Sequence, residues 1–188
     1  MKRRIAIAGN GAWGQALAHV ARTAGHEVSM WSRQKSDVVS FASLDAIIVA
    51  VPAQAVREVL TLIKPPKSIP LIIGAKGIEQ QTAKFMNEVA AEAVPGALTF
   101  VLSGPSFARD VIKGLPTAVT LAAPTLAEAG EWAQAFSLPT FRVYGSDDVL
   151  GVEIGGALKN VLAIACGISD GKGLGDSARA ALTTRGFA

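Results

Sequence analysis

The tightest constraint on this chain is six residues long. Gly9-Asn10-Gly11-Ala12-Trp13-Gly14 spaces three glycines as G-x-G-x-x-G, between an apolar run (Ile5-Ala6-Ile7-Ala8) and an amphipathic stretch from Ala12 to Ala24. In a strand–turn–helix unit the first glycine permits the turn and the second lets backbone approach a pyrophosphate. The third lets the helix pack closely on the strand. The N-terminus of the following helix offers unpaired N–H groups and a partial positive charge to phosphate. The motif therefore predicts a dinucleotide cradle built from Gly9, Gly11, Ala12, Trp13 and Gly14.

The rest of the sequence repeats the same unit. Short apolar runs alternate with longer amphipathic ones, the pattern of βαβ units in a parallel sheet. Strands are expected at Glu27–Trp31, Ala46–Val51, Leu71–Ile73, Leu98–Leu102, Thr117–Ala122 and Thr140–Tyr144. Helices are expected after Pro52, over Thr82–Ala93, Ser106–Lys113 and Thr125–Phe136, with stops at Gly25, Pro65-Pro66, Pro95-Gly96 and Gly114. The predicted fold class is α/β: a Rossmann-like doubly wound, mainly parallel sheet over residues 1–146. Residues 147–188 then read as the start of an all-α second domain. Ser146-Asp147-Asp148 looks like a helix N-cap with carboxylates where the helix dipole favours them. The following Val149–Ile168 is apolar on nearly every face, so it is expected to lie buried in a larger body.

Composition narrows the function. Hydrophobic residues make up 50% and charged residues 18%, which excludes a disordered chain. The formal charge is +3, and beyond Lys2-Arg3-Arg4 the basic residues are scattered singly, which suits small phosphorylated anions rather than nucleic acid. Cys166 stands alone, so no internal disulfide or cysteine metal site is expected, in keeping with a reducing cytoplasm. The apolar stretch after Lys2-Arg3-Arg4 breaks at Gly9, too early for a secretory signal. No uninterrupted apolar run reaches the roughly 20 residues of a membrane span. A cytoplasmic protein without a membrane span is the expectation. No nucleophilic triad or metal-ligand spacing is found, and His19 and His26 read as structural. Trp13, Trp31 and Trp132 read as core or pocket wall.

The end of the second strand selects the cofactor. An acidic residue there binds the ribose 2′-hydroxyl, whereas a basic one accommodates a 2′-phosphate. The strand runs out as Trp31-Ser32-Arg33, and no carboxylate follows until Asp37. NADP(H) is thus the preferred cofactor, with NAD(H) the second choice; the competing reading makes Arg33 a solvated surface residue.

Ligands in open α/β sheets sit beyond the carboxyl ends of the strands. Small-residue loops fall there: Val51-Pro52-Ala53, Gly74-Ala75-Lys76-Gly77 and Ser103-Gly104-Pro105-Ser106-Phe107. Lys76 adds a cation to that row. Lys159, followed by Asn160, lies within the apolar helix. Desolvation there would bring a lysine toward the range of proton transfer, unless its end snorkels to water.

These blocks resemble the bacterial NAD(P)-dependent glycerol-3-phosphate dehydrogenases over nearly the whole chain. The resemblance is carried by Gly9 to Gly14, Ala50-Val51-Pro52 with Arg57-Glu58-Val59, and Ala75-Lys76-Gly77-Ile78-Glu79. It continues in Leu102 to Ala108, Gly114 to Val119, Glu153 to Val161, Gly173-Leu174-Gly175-Asp176, and Ala178 to Gly186. It implies interconversion of dihydroxyacetone phosphate and sn-glycerol 3-phosphate, for glycerophospholipid synthesis, with a homodimer among the assemblies it allows. Trp13, Arg33 and Ala108 match cofactor-contacting positions, and Lys76 matches a lysine near both cofactor and substrate. Gly104, Ser106 and Asn160 match substrate-contacting positions, and Lys159 the proton-transferring lysine.

Two departures qualify the resemblance. Only eleven residues separate Arg33 from Asp45, where the family usually carries several dozen. The sequence also stops at Ala188, before the family's remaining helical domain, so the expectation is either a truncated polypeptide or a chain that cannot act alone. Two alternatives stay open. One is a non-catalytic dinucleotide-binding fragment, and the other a Rossmann-superfamily dehydrogenase acting on a hydroxyacid or amino acid.

Overall fold

A computed structural model of the chain describes residues 1–33, 41 and 43–187. Asp37 and Ala188 lie outside the described residues. Seven strands form one sheet: β1 (Arg4–Ala8), β2 (Glu27–Trp31), β3 (Ala46–Val49), β4 (Leu71–Ile73), β5 (Thr99–Ser103), β6 (Thr117–Ala122) and β7 (Phe141–Ser146). Their spatial order is β2-β1-β3-β4-β5-β6-β7. Every pair is parallel except β5 and β6, which run antiparallel with Leu102 opposite Leu121. The chain moves outward from β1 to β2, then returns to lay β3 on the other side of β1, creating the switch point of a doubly wound sheet.

Side chains alternate along each strand, so two apolar layers form. Ile5, Ile7, Ile48, Ile72 and Phe100 meet Leu17 and Trp132 on one face. Ala6, Ala8, Ile47, Val49, Leu71 and Ile73 meet Val56, Leu60, Met86 and Val89 on the other. The first layer is covered by α1 (Ala12–Thr23), α4 (Ala108–Ile112) and α5 (Leu126–Phe136), and the second by α2 (Val56–Ile63) and α3 (Met86–Ala93). A strand buried on both faces is apolar at nearly every position.

Several boundaries differ from the sequence expectation, each for a local reason. The segment after Pro52 begins with a single 3-10 turn (Ala53–Ala55) before α2. The helix expected from Thr82 starts at Met86, because residues 79–84 form a turn closed by Ala83 N–H donating to the Glu79 carbonyl at 2.8 Å. Glu88 then accepts the Phe85 N–H at 2.8 Å and closes the first turn of α3. The helix expected from Ser106 starts at Ala108, since Gly104 adopts φ +152 and the chain needs Pro105 to Phe107 to recover.

The largest correction concerns α6 (Val149–Gly171), which is capped as expected by Asp148, whose carboxylate accepts the Gly151 N–H at 2.8 Å. Its apolar sequence was expected to be buried, yet among its described residues only Glu153 and Ser169 are. Val161 and Ile164 are more than 60% exposed, and α7 (Asp176–Phe187) covers only part of the helix. By length and composition, α6 is apolar enough to cross a membrane. His19 is exposed on α1, while buried His26 accepts the Arg3 N–H on Nδ1 at 3.3 Å and sits 2.8 Å from the Ala135 carbonyl through Nε2.

Candidate cofactor cleft and lysine site

The three glycines of the first turn are required for different reasons. Gly9 has φ +123, and a Cβ there would stand 2.4 Å from the Ala50 carbonyl oxygen. A Cβ on Gly14 would meet the Gly9 carbonyl oxygen at 2.1 Å, so this glycine lets α1 press against the turn. Gly11 is different. Its φ is −65, which any residue adopts, and among the described residues nothing lies within 4 Å of the Cβ it lacks. Packing within the chain gives no reason for a glycine there; the open space does. Gly11 is also the N-cap of α1, and among the described residues no side chain caps that helix or accepts from its first-turn N–H groups.

Two adjoining clefts open on this turn. One, of about 430 Å³, is lined by Gly11–Trp13, Ala50–Ala53, Gly74–Lys76 and Ser106–Ala108. The other, of about 320 Å³, runs from Gly9–Gly11 and Ala50–Pro52 to Trp31, Ser32 and Arg33. They share Gly11 and Ala50–Pro52 and follow the carboxyl ends of β1, β2, β3 and β4. Trp13 forms a wall, its indole N–H donating to the Gly74 carbonyl at 3.2 Å. At the far end Arg33 is held by Glu58 of α2, Nη1 to Oε1 2.8 Å, with both side chains more than half exposed. The Ser32 hydroxyl beside it is buried with no hydrogen-bond partner among the described residues.

Lys76 follows β4. Its ammonium donates to the Gly104 carbonyl at 2.8 Å and to the Ser106 hydroxyl at 3.2 Å, and lies 5.4 Å from the centre of the Trp13 ring. The φ of +152 at Gly104 belongs to glycine, and a Cβ there would fall 2.8 Å from Val119 Cα. Burial, reinforced by the positive charge of Lys159, pulls the Lys76 ammonium down to about 8 from the usual 10.5.

Lys159 arrives from α6. Gly156 makes this possible, because a Cβ there would overlap the Ser103 hydroxyl at 2.4 Å and reach the Lys76 stem at 3.7 Å. One turn later Lys159 is half-buried, its ammonium donating to Asn160 Oδ1 at 2.7 Å. A third cleft, of about 350 Å³, lies between Ser103–Pro105 and the Gly151–Lys159 face of α6.

The structure thus gathers Gly9, Gly11, Ala12, Trp13, Lys76, Gly104, Ser106, Ala108 and Lys159 around adjoining clefts, with Gly14 beneath. Arg33 stands at the rim and Asn160 is exposed, touching Lys159. One expectation is corrected: α6, which carries Lys159, is largely exposed, and the lysine pulled down by burial is Lys76. Sequence reasoning also missed Glu153, buried on α6, which accepts the Asn87 N–H at 2.9 Å and is pushed up to about 7 by burial. The signal was present as an acid inside an apolar run. Ser103, Gly156 and the Arg57–Glu79 pair were missed because their roles exist only across distant segments.

A doubly wound sheet with an uncapped helix over a glycine turn at its switch point is a Rossmann-type dinucleotide-binding domain. The chain belongs to the NAD-dependent glycerol-3-phosphate dehydrogenase family: the N-terminal family model matches residues 4–43 and 36–129, and the C-terminal model matches residues 148–188. It is 47% identical over 216 residues to glycerol-3-phosphate dehydrogenase, NAD(P)+, of Parvibaculum lavamentivorans, covering 99% of this chain and 65% of that one. It is 50% identical over 215 residues to the enzyme of the same name in Bradyrhizobium sp. strain BTAi1, covering 98% and 65%. The crystal structure of glycerol-3-phosphate dehydrogenase from Coxiella burnetii superimposes with a TM-score of 0.85 at 36% identity, over 98% of this chain and 66% of that one. The chain spans about 65% of the length of the curated relatives it matches.

Proposed function

We propose that this chain is the cofactor-binding and lysine-bearing part of an NAD(P)-dependent glycerol-3-phosphate dehydrogenase, interconverting dihydroxyacetone phosphate and sn-glycerol 3-phosphate. The observation that carries the reading is the approach of Lys76, Ser106 and Lys159 to one another beside the glycine turn. The Lys159 charge disfavours that of the Lys76 ammonium, and such a pair forms a place for an anion.

The cradle fits a dinucleotide on three observations: the empty volume over Gly11, the uncapped start of α1, and Arg33 at the end of β2. Gly11 and the first-turn N–H groups of Ala12 and Trp13 would hold the pyrophosphate. Gly9 and Gly14 shape the turn, Ala108 in the wall of the same cleft would contact the cofactor, and Arg33 would receive a 2′-phosphate. NADP(H) is therefore preferred and NAD(H) accepted. When bound, the nicotinamide supplies hydride to the ketone carbon or takes it back from the alcohol.

The remaining chemistry belongs to this chain. Lys76, Gly104 and Ser106 orient the substrate, and Asn160 orients Lys159. As negative charge develops on the ketone oxygen, the Lys159 ammonium stabilises it and gives up a proton, which the reverse reaction returns. Residues 1–146 serve as the dinucleotide unit and residues 147–188 as the opening of a helical substrate unit. Location in the cytoplasm and supply of glycerophospholipid backbone go with this reading.

The test is absorbance at the reduced nicotinamide band with dihydroxyacetone phosphate and either NADPH or NADH, using the full-length protein and its Lys159→Ala variant. Turnover faster with NADPH, abolished by Lys159→Ala while NADPH still binds, is the expected result. Near-normal kcat in Lys159→Ala overturns the proton-transfer role. NADPH binding without any turnover favours the non-catalytic reading.

A further inference from the structure

The loop bearing Lys76 is fastened along its length by residues from the preceding βα connection. Gln54, in the 3-10 turn after β3, donates to the Ile78 carbonyl at 2.8 Å and accepts the Gln80 N–H at 3.0 Å. Gly77, at φ +136, sits where a Cβ would be 3.3 Å from Ala53 Cβ, so that turn packs directly on the residue after Lys76. From the first turn of α2, Arg57 grips the Glu79 carboxylate with both arms of its guanidinium, Nε to Oε1 2.9 Å and Nη2 to Oε2 2.8 Å. Thr82 donates to the same carboxylate at 2.6 Å. Arg57 also reaches Glu92 of α3 at 2.8 Å, and Lys84 pairs with Glu92.

We propose that Arg57 and Gln54 are positioning residues that hold Lys76 at the mouth of the cofactor cleft, against the Gly104 carbonyl and Ser106. The inference rests on the reading of Lys76 as a substrate-binding group. A lysine stem has four rotatable bonds and loses much rotamer freedom when it is ordered. Its own two hydrogen bonds fix its tip; its root is held on one side by β4 and the bonds of Gly74, and on the other by the fastened backbone of residues 77–80. The paired fork on Glu79 is the strongest of those fastenings, because charge-assisted bidentate bonds add geometric specificity as well as energy. Glu79 is buried, and its hydrogen bonds to Arg57 and Thr82 hold its carboxyl down at about 2, so the fork persists at any working pH. Neither Arg57 nor Gln54 lines the clefts at Gly9–Gly11 or Gly11–Lys76. Both line a separate cleft of about 790 Å³ with Glu58, Glu79 and Gln80, so a route through Lys76 is what its titration must show.

The decisive measurement is the ionisation of Lys76 itself. Lysines of the full-length protein are reductively methylated with 13C-formaldehyde, the Lys76 signal is assigned by its loss in Lys76→Gln, and it is titrated by NMR. It should titrate near 8 in the parent and move toward 10.5 in Arg57→Gln and in Gln54→Ala, as the unfastened ammonium swings into water. Gln54→Ala strands no charge and keeps the test open should Arg57→Gln fold poorly. A midpoint that stays near 8 in the folded variants overturns the proposal.

A double-mutant cycle on kcat/KM supplies a second reading. Arg57→Gln should lower it about ten- to a hundredfold, the scale of a small misplacement in a site. It should cost little more once Lys76 is already Gln; losses that simply add would mean a structural role and overturn the proposal. If Lys76→Gln turns over normally, the substrate role of Lys76 falls, and the titration still decides the positioning.

Discussion

The Glu153 carboxylate of α6 accepts the backbone N–H of Asn87, at the start of α3, at 2.9 Å, joining elements 66 positions apart. Its second oxygen is buried without a partner among the described residues. Burial raises this carboxyl from 4.5 to about 7. An acid whose folded value lies above its unfolded one binds more protons in the folded state, so stability is highest below 4.5 and falls as pH rises through 7. Thermal melts from pH 4 to 8 should show that decline, and Glu153→Gln, which keeps the Asn87 acceptor, should flatten it. An unchanged slope in the variant would remove Glu153 as the source.

The glycines of the first turn separate folding from binding. Gly11→Ala should leave the melting temperature nearly unchanged, within about 1 kcal/mol of stability, and weaken NADPH about tenfold or more, because the added methyl enters only the open cleft. Gly14→Ala and Gly9→Ala should instead destabilise the fold, since each new Cβ would overlap a backbone oxygen. Calorimetry of the three variants with and without cofactor checks both halves.

Glu58 pairs with Arg33, so on the proposed reading it would compete with a 2′-phosphate. Arg33→Asp should weaken NADPH about tenfold, the scale of a lost bond to a charged group, and leave NADH nearly unaffected. Glu58→Gln should act in the opposite direction, freeing the guanidinium. Fluorescence titration with each reduced cofactor decides this; equal changes for both cofactors would take Arg33 away from the ribose.

The Lys76 ammonium should set an alkaline limb. It is charged below about 8 and neutral above, so kcat/KM for the phosphorylated ketone should fall as pH rises through that value. Lys76→Arg, which stays charged, should move the limb upward even if its rate is lower. A parent profile flat to pH 9.5 would show that the Lys76 charge is not needed.

Much of the site was legible because each part sits in a short segment whose geometry is local. Gly9 to Gly14 form one strand–turn–helix unit, and Lys76, Gly104 and Ser106 lie just past apolar runs that could only be strands. The start of α3 was misplaced because Glu79 folds residues 79–84 into a turn, and what secures Glu79 is Arg57, 22 positions away. Helical propensity in Thr82–Phe85 could not anticipate that partner.

From the sequence alone came the fold class, the cofactor turn and its Arg33 end, and the two lysines. Those depend on residue type and periodicity, which the chain carries locally. Tertiary structure alone decided which lysine loses its water, that Gly156 lets α6 reach Ser103, that Arg33 already has a partner in Glu58, and that α6 stays largely exposed. The reason is physical. Desolvation, ion pairing and burial are properties of what surrounds a side chain, and those surroundings come from segments far apart in the chain.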